Sequence, residues 1–434
     1  MIINTVTIIG VTGIMGANIA GIFAAFGDAK VYCVGRDIEK VRKTIPRIVK
    51  SVKADAIAKN LIPADFDSLE QCVADSDFVF ESSKEDMEIK MEIAARVSKV
   101  LKPHAVSATG SSGLSITKIA ECYSEELRGH FFGVHMFNPP YTLQLCELIK
   151  TEYSDEQMYT ELKSYLKNIL LRTVVEVKDS PAFLGNRIGF QFINEALQYA
   201  EKYKDNGGID YIDAIIGSFT GRSMAPLTTS DFVGLDVHKA IVDNIYENTN
   251  DYAHETFELP EFVQKLVDEG KLGRKSGGGL YQLMKNDDGL NRQMVYDINT
   301  GLYREVIPYG FPFADKMMRW LADGEYAKAF ESLVNNHSQE AEICLSFLLK
   351  YIVYSIYAAS EVGYTIKAAD DVMAAGFNWC PPLAMYQALS TVADAPSLIK
   401  ERLPEICEKF DVDQLLAKIT PSNYDYRIYF KSGR

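Results

Sequence analysis

The chain has 434 residues, 47% hydrophobic and 24% charged, so it can bury the cores of two or three domains and is too apolar to be disordered. Its net charge, 45 − 59 = −14, speaks against a general nucleic-acid binder or a protein that adheres to anionic membranes, because both need a positive face. No apolar run approaches the roughly 18 residues of a bilayer span and no basic region opens the chain, so neither a membrane partner nor a leader is expected.

The first 180 residues alternate two patterns. Val6-Thr7-Ile8-Ile9, Val31-Tyr32-Cys33-Val34, Phe78-Val79-Phe80 and Ala105-Val106-Ser107-Ala108 are short apolar strand candidates, and helical segments such as Ile14 to Phe26 and Asp86 to Leu101 lie between them. This alternation predicts a parallel α/β sheet. After Pro181 the pattern changes to a long apolar helix, Asn186 to Lys204, followed by further helices. A faint repeat appears at an offset near 157 residues. Phe190–Gly234 carries Glu201, Ile212-Asp213 and Pro226 between apolar helices; Leu348–Leu389 carries Glu361, Asp371-Val372, Gly376 and Pro381-Pro382. A repeat of this length means a duplicated domain. The expected organisation is an α/β domain over 1–178, a helical domain over 179–285, a connecting segment over 286–340 and a second helical domain over 341–434.

Gly10-Val11-Thr12-Gly13-Ile14-Met15-Gly16 joins the first strand to the first helix. Glycines there allow a tight turn and bring backbone N–H groups up to a pyrophosphate at the helix N-terminus. The spacing, GxxGxxG, is one residue longer than GxGxxG, but the strand–turn–helix context is the required one and disfavours a glycine turn without a ligand. The second strand ends Val34-Gly35-Arg36-Asp37. Gly35 removes the carboxylate that would repel a 2′-phosphate and Arg36 offers a fork of donors, so the cofactor is NADP or NAD with a lean to NADP. In the other reading Arg36 is solvated and Asp37 holds the ribose. The next helix is basic (Lys40, Arg42, Lys43, Arg47, Lys50, Lys53, Lys59), which suits a polyanion such as a CoA phosphate, or equally a solvated face. His135 stands at a strand end before Asn138-Pro139-Pro140, and Glu147 lies in the following apolar run. A buried carboxylate there needs a partner, and a Glu–His pair would hold the imidazole in one tautomer.

Seven scattered cysteines without a CxxC pair point to free thiols in a reduced, cytoplasmic setting, and six histidines without HxxxH or HxH spacing give no metal signal. His238, His254, Trp320 and Trp379 read as structural.

Five motifs in order resemble the 3-hydroxyacyl-CoA dehydrogenase family: Gly13-x-Met15-Gly16, His135-Met-Phe-Asn138-Pro139, Glu147-Leu-Ile-Lys-Thr151, Asp179-Ser-Pro181-Ala-Phe183-Leu-Gly-Asn186-Arg187 and Gly273-Arg-Lys275-Ser-Gly277-Gly-Gly279-Leu-Tyr281. The resemblance covers about residues 1–285. It implies a Rossmann-like N-terminal domain with all-α domains behind it, the second of them a duplicate, and a homodimer. It implies hydride transfer with NAD(P) between a 3-hydroxyacyl-CoA and a 3-oxoacyl-CoA, with an acyl-CoA thioester as partner. By the same resemblance His135 and Glu147 are the catalytic pair, and Asn186 and Ser111 contact the substrate (Ser112 is nearly as good a choice). Gly10, Gly13, Ile14, Met15, Gly16, Gly35, Arg36, Glu85 and Lys90 surround the cofactor, and Ser51 and Lys59 face CoA. The serine loop departs from the family pattern: Ser107 to Leu114 carries two extra residues and has Ala108 where the family has asparagine. Two alternatives stay open, a dehydrogenase of a small free hydroxyacid and a non-enzymatic NADP-binding sensor.

Overall fold

The computed structural model describes residues 1–285 and 290–431, in two compact units, Met1–Phe183 and Leu184–Arg434. Residues 179–285, 286–340 and 341–434 therefore do not form separate bodies; 286–289 of the expected connecting segment lie outside the described residues.

The first unit runs β1 (Thr5–Ile9), α1 (Ile14–Ala25), β2 (Lys30–Gly35), α2 (Ile38–Val52), β3 (Leu61–Asp65), α3 (Leu69–Asp75), β4 (Phe78–Glu81), α4 (Met87–Ser98), β5 (Val106–Thr109), α5 (Ile116–Ala120), β6 (Phe131–Met136), β7 (Leu145–Ile149), α6 (Glu156–Asn168) and β8 (Thr173–Val177). The eight strands form one sheet in the order β3-β2-β1-β4-β5-β6-β7-β8. Its central strands are buried on both faces, which is why they read as continuous apolar runs. Strand order reverses between β1 and β4, and this places a crevice beyond their carboxyl ends, where ligands bind in such sheets.

Two details differ from the expectation. The sheet is not wholly parallel, because β7 runs antiparallel to β6. The connection Phe137–Gln144 is too short for the dozen or so residues that a parallel crossover needs, and Asn138-Pro139-Pro140 turns the chain back. The edge strand β3 also escaped prediction, since Pro63 breaks its pattern; an edge strand tolerates a proline.

The second unit runs α7 (Gly185–Lys202), α8 (Ile209–Ile215), α9 (Pro226–Val233), α10 (Leu235–Asn248), α11 (Glu261–Asp268), β9 (Tyr281–Lys285), β10 (Asn291–Tyr296), β11 (Tyr303–Glu305), α12 (Pro312–Ala322), α13 (Tyr326–Val334), α14 (Gln339–Val362), α15 (Lys367–Val372) and α16 (Pro382–Leu389), followed by short helices. It is not all-α: β9, β10 and β11 form a small antiparallel sheet, β9 at the end of the stretch read as the first helical domain and β10 and β11 in the stretch read as a connector. α14 is long and apolar enough by length and composition to cross a membrane, contrary to the sequence reading. However, 78% of its apolar window is buried inside the unit, as in a core helix.

The repeat has a physical counterpart. Asp213 Oδ1 accepts the Leu227 N–H at the start of α9 at 2.8 Å, and Asp370 Oδ1 accepts the Leu383 N–H at the start of α16 at 2.8 Å. The two aspartates are 157 residues apart (370 − 213), so the partner of Asp213 is Asp370 and not Asp371. Burial pushes both carboxyls up to about 6. His238 on α10 is fully buried and satisfied, with Nε2 at 2.9 Å from Asn194 Oδ1 and Nδ1 at 3.2 Å from Ser230 Oγ. Burial lowers its pKa to about 3.

An unfolded histidine takes a proton near pH 6.5 and folded His238 only near 3, so its stabilising contribution is intact above 6.5 and lost as pH falls through that interval. Wild type should lose about 2 kcal/mol relative to His238→Gln between pH 6.5 and about 5, read by chemical denaturation at each pH. The aspartates are common to both proteins and cancel in the difference; parallel pH curves would refute the assignment.

Candidate active site

The antiparallel register of β6 and β7 sets His135 directly opposite Glu147. Nδ1 of His135 lies 2.7 Å from Glu147 Oε2, with the histidine 5% and the glutamate 0% exposed. The carboxylate can only accept, so the ring carries its proton on Nδ1 and presents Nε2 as the reactive nitrogen. Phe137 and Phe183 pack on the imidazole at 4.7 and 5.5 Å between ring centroids. Asp179, from the proline-containing motif that follows β8, is a structural tie: its carboxylate accepts the backbone N–H groups of Ile116 and Thr117 and the Ser115 hydroxyl at the start of α5.

The glycine turn fits a dinucleotide. Gly10 adopts φ +89°, and a Cβ there would stand 2.3 Å from the Ser82 carbonyl oxygen beyond β4. A Cβ on Gly16 would stand 2.5 Å from the Gly10 carbonyl oxygen. Gly13 is the N-cap of α1 and supplies no side-chain cap, so the N–H groups of Ile14, Met15 and Gly16 have no acceptor among the described residues. Uncapped N–H groups behind a turn with no room for side chains suit a pyrophosphate. At the end of β2 a Cβ on Gly35 would press to 2.6 Å from Val41, so the turn leaves no place for a carboxylate. Asp37 is the N-cap of α2, its Oδ1 accepting from the Glu39 and Lys40 N–H groups. Arg36 is exposed and unpaired among the described residues.

Behind the crevice lies a charged chain that the sequence motifs did not disclose. Glu81, at the end of β4, accepts from Lys90 Nζ at 2.9 and 3.1 Å, from Thr109 Oγ1 at 2.6 Å and from the Ser83 N–H at 2.5 Å. Burial pushes the Glu81 carboxyl up, and Lys90 with these donors outweighs it, so the net shift is downward. Lys90 is 1% exposed and also pairs with Glu85 at 3.4 Å, so its ammonium is held between a buried carboxylate, Glu81, and an exposed one, Glu85. Glu85 accepts from Ser111 Oγ at 2.6 Å and from the Ser112 N–H at 2.8 Å. Ser111 Oγ accepts from the Leu114 N–H at 3.1 Å. Its proton is therefore committed to Glu85. Ser111 is tied to Glu85 by its side chain and Ser112 by its backbone N–H.

On α2, Ser51 Oγ donates to the Arg47 carbonyl, and Lys59 lies beyond the helix end on a separate 3-10 turn, Asp55–Asn60. An open groove of about 640 Å³ is lined instead by Ile45, Pro46, Val49, Lys50, Lys53, Asp55 and Ala58. Lys50 and Lys53 are the cations that line this groove. Asn186 belongs to the second unit, in the first turn of α7; it is 6% exposed and its amide has no partner among the described residues.

A dinucleotide turn at the reversal point of an α/β sheet, with a buried carboxylate–imidazole pair at a neighbouring strand end, defines the class of pyridine-nucleotide oxidoreductases. The sequence profile of the 3-hydroxyacyl-CoA dehydrogenase NAD-binding domain matches residues 5–180 and that of the C-terminal domain matches 183–283, and the chain belongs to this family. It is 31% identical over 296 residues to the human mitochondrial hydroxyacyl-coenzyme A dehydrogenase, covering 65% of this chain and 92% of that one. A probable 3-hydroxyacyl-CoA dehydrogenase of Bacillus subtilis is 27% identical over 391 residues, 86% of this chain and 48% of that one. The chain thus spans about half of the Bacillus relative and 61% of a similar one from Deinococcus radiodurans. Among solved structures, FadB2 of M. tuberculosis is 27% identical with a TM-score of 0.59 over 65% of this chain and 99% of its own. An Escherichia coli 3-hydroxybutyryl-CoA dehydrogenase shares the fold over 96% of this chain and 99% of its own, with a TM-score of 0.68 at 19% identity.

Gly10→Ala forces a side chain into a left-handed position against a carbonyl oxygen. It should cost about 1–3 kcal/mol of stability and abolish NAD(P)H binding, read by thermal melting and fluorescence titration. Wild-type affinity in this variant would refute the role of the turn.

Proposed function

We propose that this chain interconverts 3-hydroxyacyl-CoA and 3-oxoacyl-CoA, using NAD or NADP. The observation that carries the reading is the His135–Glu147 pair, buried at a strand end of a nucleotide-binding sheet.

A bound nicotinamide supplies the hydride chemistry. In the oxidative direction His135 Nε2 takes the proton of the C3 hydroxyl, because Nδ1–H is held by Glu147. In the reductive direction the same nitrogen returns a proton to the C3 oxygen. Glu147 keeps the ring in the productive tautomer and offsets the charge of the imidazolium. Asn186 supplies an amide N–H to the substrate oxygen on which charge develops. Ser111 acts as an acceptor, its own hydrogen being bound to Glu85. Lys50 and Lys53 lie beside the groove proposed for the CoA phosphates. Gly35, the unpaired Arg36 and the commitment of Asp37 to capping favour a phosphate on the adenosine ribose. We assign the enzyme to a reduced cytoplasmic setting, in keeping with its seven free cysteines, and as a homodimer; sedimentation at the mass of one chain would replace the dimer with the internally duplicated helices.

A free-hydroxyacid dehydrogenase would have no use for the lysine-edged groove, and a nucleotide sensor none for the buried histidine–glutamate pair. Reduction of acetoacetyl-CoA by NADH or NADPH separates the three, and absence of turnover with both overturns the reading. Glu147→Gln should lower kcat about 10²-fold or more while NAD(P)H affinity stays at the wild-type value; unchanged turnover would remove Glu147 from the mechanism. Arg36→Ala should raise the KM for NADPH about tenfold and leave that for NADH within about twofold, and an equal change in both would remove the phosphate assignment.

A further inference from the structure

The second helical half, residues beyond about 340, has had no part in the chemistry so far. We infer that Tyr354, on α14 in this half, is a positioning residue for Asn186: it holds the first turn of α7 through Arg187 and Asp251. The inference rests on the dehydrogenase reading, in which Asn186 touches substrate.

Arg187 directly follows Asn186. Its Nη2 donates to Asp251 Oδ2 at 2.9 Å and its Nε to the Tyr354 hydroxyl oxygen at 3.3 Å. The Tyr354 hydroxyl donates in turn to the same Asp251 Oδ2 at 2.9 Å. The triangle closes with each donor and acceptor used in its proper sense. All three side chains are buried: Arg187 is 7% and Asp251 2% exposed along the side chain, and Tyr354 is 1% exposed overall. In a dry site such charge-assisted bonds are strong and directional. Two residues further along, a Cβ on Gly189 would strike the Phe377 ring at 2.3 Å, so the second half also presses on the next residues of the same turn. The wider contact runs antiparallel along both helices. Glu195 pairs with Lys350 at 2.6 Å, and Tyr199 packs on Phe347 at 4.9 Å between centroids.

The arrangement separates two roles. The Glu195–Lys350 pair and the aromatic contacts are two or more turns from Asn186 and serve the packing of α7 on α14. The Tyr354 triangle is at the turn that carries the amide. A substrate-facing amide displaced by a fraction of an ångström loses much of its effect in the transition state while the fold survives.

The test is a double-mutant cycle in the full chain, assayed by acetoacetyl-CoA reduction with thermal melting alongside. Tyr354→Phe keeps the ring and removes only the hydroxyl. It should lower kcat about tenfold with the KM for NAD(P)H unchanged, yet by less than about twofold in an Asn186→Ala background, because the effect passes through that amide. Lys350→Met should lower the melting temperature with kcat near wild type. An equal fall for Tyr354→Phe in both backgrounds, no fall in either, or a fall that Lys350→Met reproduces overturns the inference. If Asn186→Ala by itself keeps wild-type kcat, the role given to Asn186 fails first and the inference with it. A loss in Asn186→Ala with none in Tyr354→Phe refutes only the positioning.

Discussion

The pairing of one imidazole with one buried carboxylate is the constraint on which the first unit turns. Glu147 has no exposure, and a carboxylate in that position is costly without a hydrogen-bonded partner. The partner is delivered by sheet register: His135 and Glu147 are opposite residues of the sheet's one antiparallel strand pair among the described residues. A parallel crossover would have placed a helix between the two strands and separated the residues. The short turn through Asn138-Pro139-Pro140 is therefore as much part of the site as the side chains.

The same unit holds a second set of linked charges. Glu81, Lys90, Glu85 and Ser111 form a chain, each member bonded to the next. Within it Lys90 fixes the carboxylate that fixes the serine, and this sets the polarity of Ser111. Sequence resemblance alone treats these residues as parallel contacts to a ligand. The geometry makes them a relay of position, in which Glu85 is the exposed member and Ser111 is buried.

In the second unit the duplication is more than a repeat of shape. Asp213 and Asp370 cap equivalent helices from equivalent places. Fourteen of the eighteen residues of α7 are buried, so this helix is enclosed and not merely amphipathic. Part of the enclosure is unusual. Arg222 is buried without a carboxylate partner among the described residues, and its guanidinium lies over Phe192, Trp379 and Tyr351, from both halves, at 3.9, 4.7 and 5.1 Å from the ring centroids. Burial lowers its pKa to about 10. Aromatic faces stand in for a counter-ion, and Trp379 has a packing role in doing so.

Much of this was legible in one dimension, because it depends on local chemistry. The apolar runs of β1, β2, β4 and β5, the glycine turn and the break after Pro181 are local signals, and so are the residue types at 135 and 147. Other features were not legible. The weak strand β3 exists because β2 offers it an edge, and β9–β11 because each of these short segments pairs with its neighbour in the chain. Burial of Lys90, the lining of the groove beside α2 by Lys50 and Lys53, and substitution of Asp370 for Asp371 all depend on which way a side chain faces. The order of residues along this chain specified which groups exist and which segments fold. Tertiary structure alone decided which charges are neighbours, since burial and register are set by segments far apart in the chain, and a carboxylate's chemistry depends on what it is buried against.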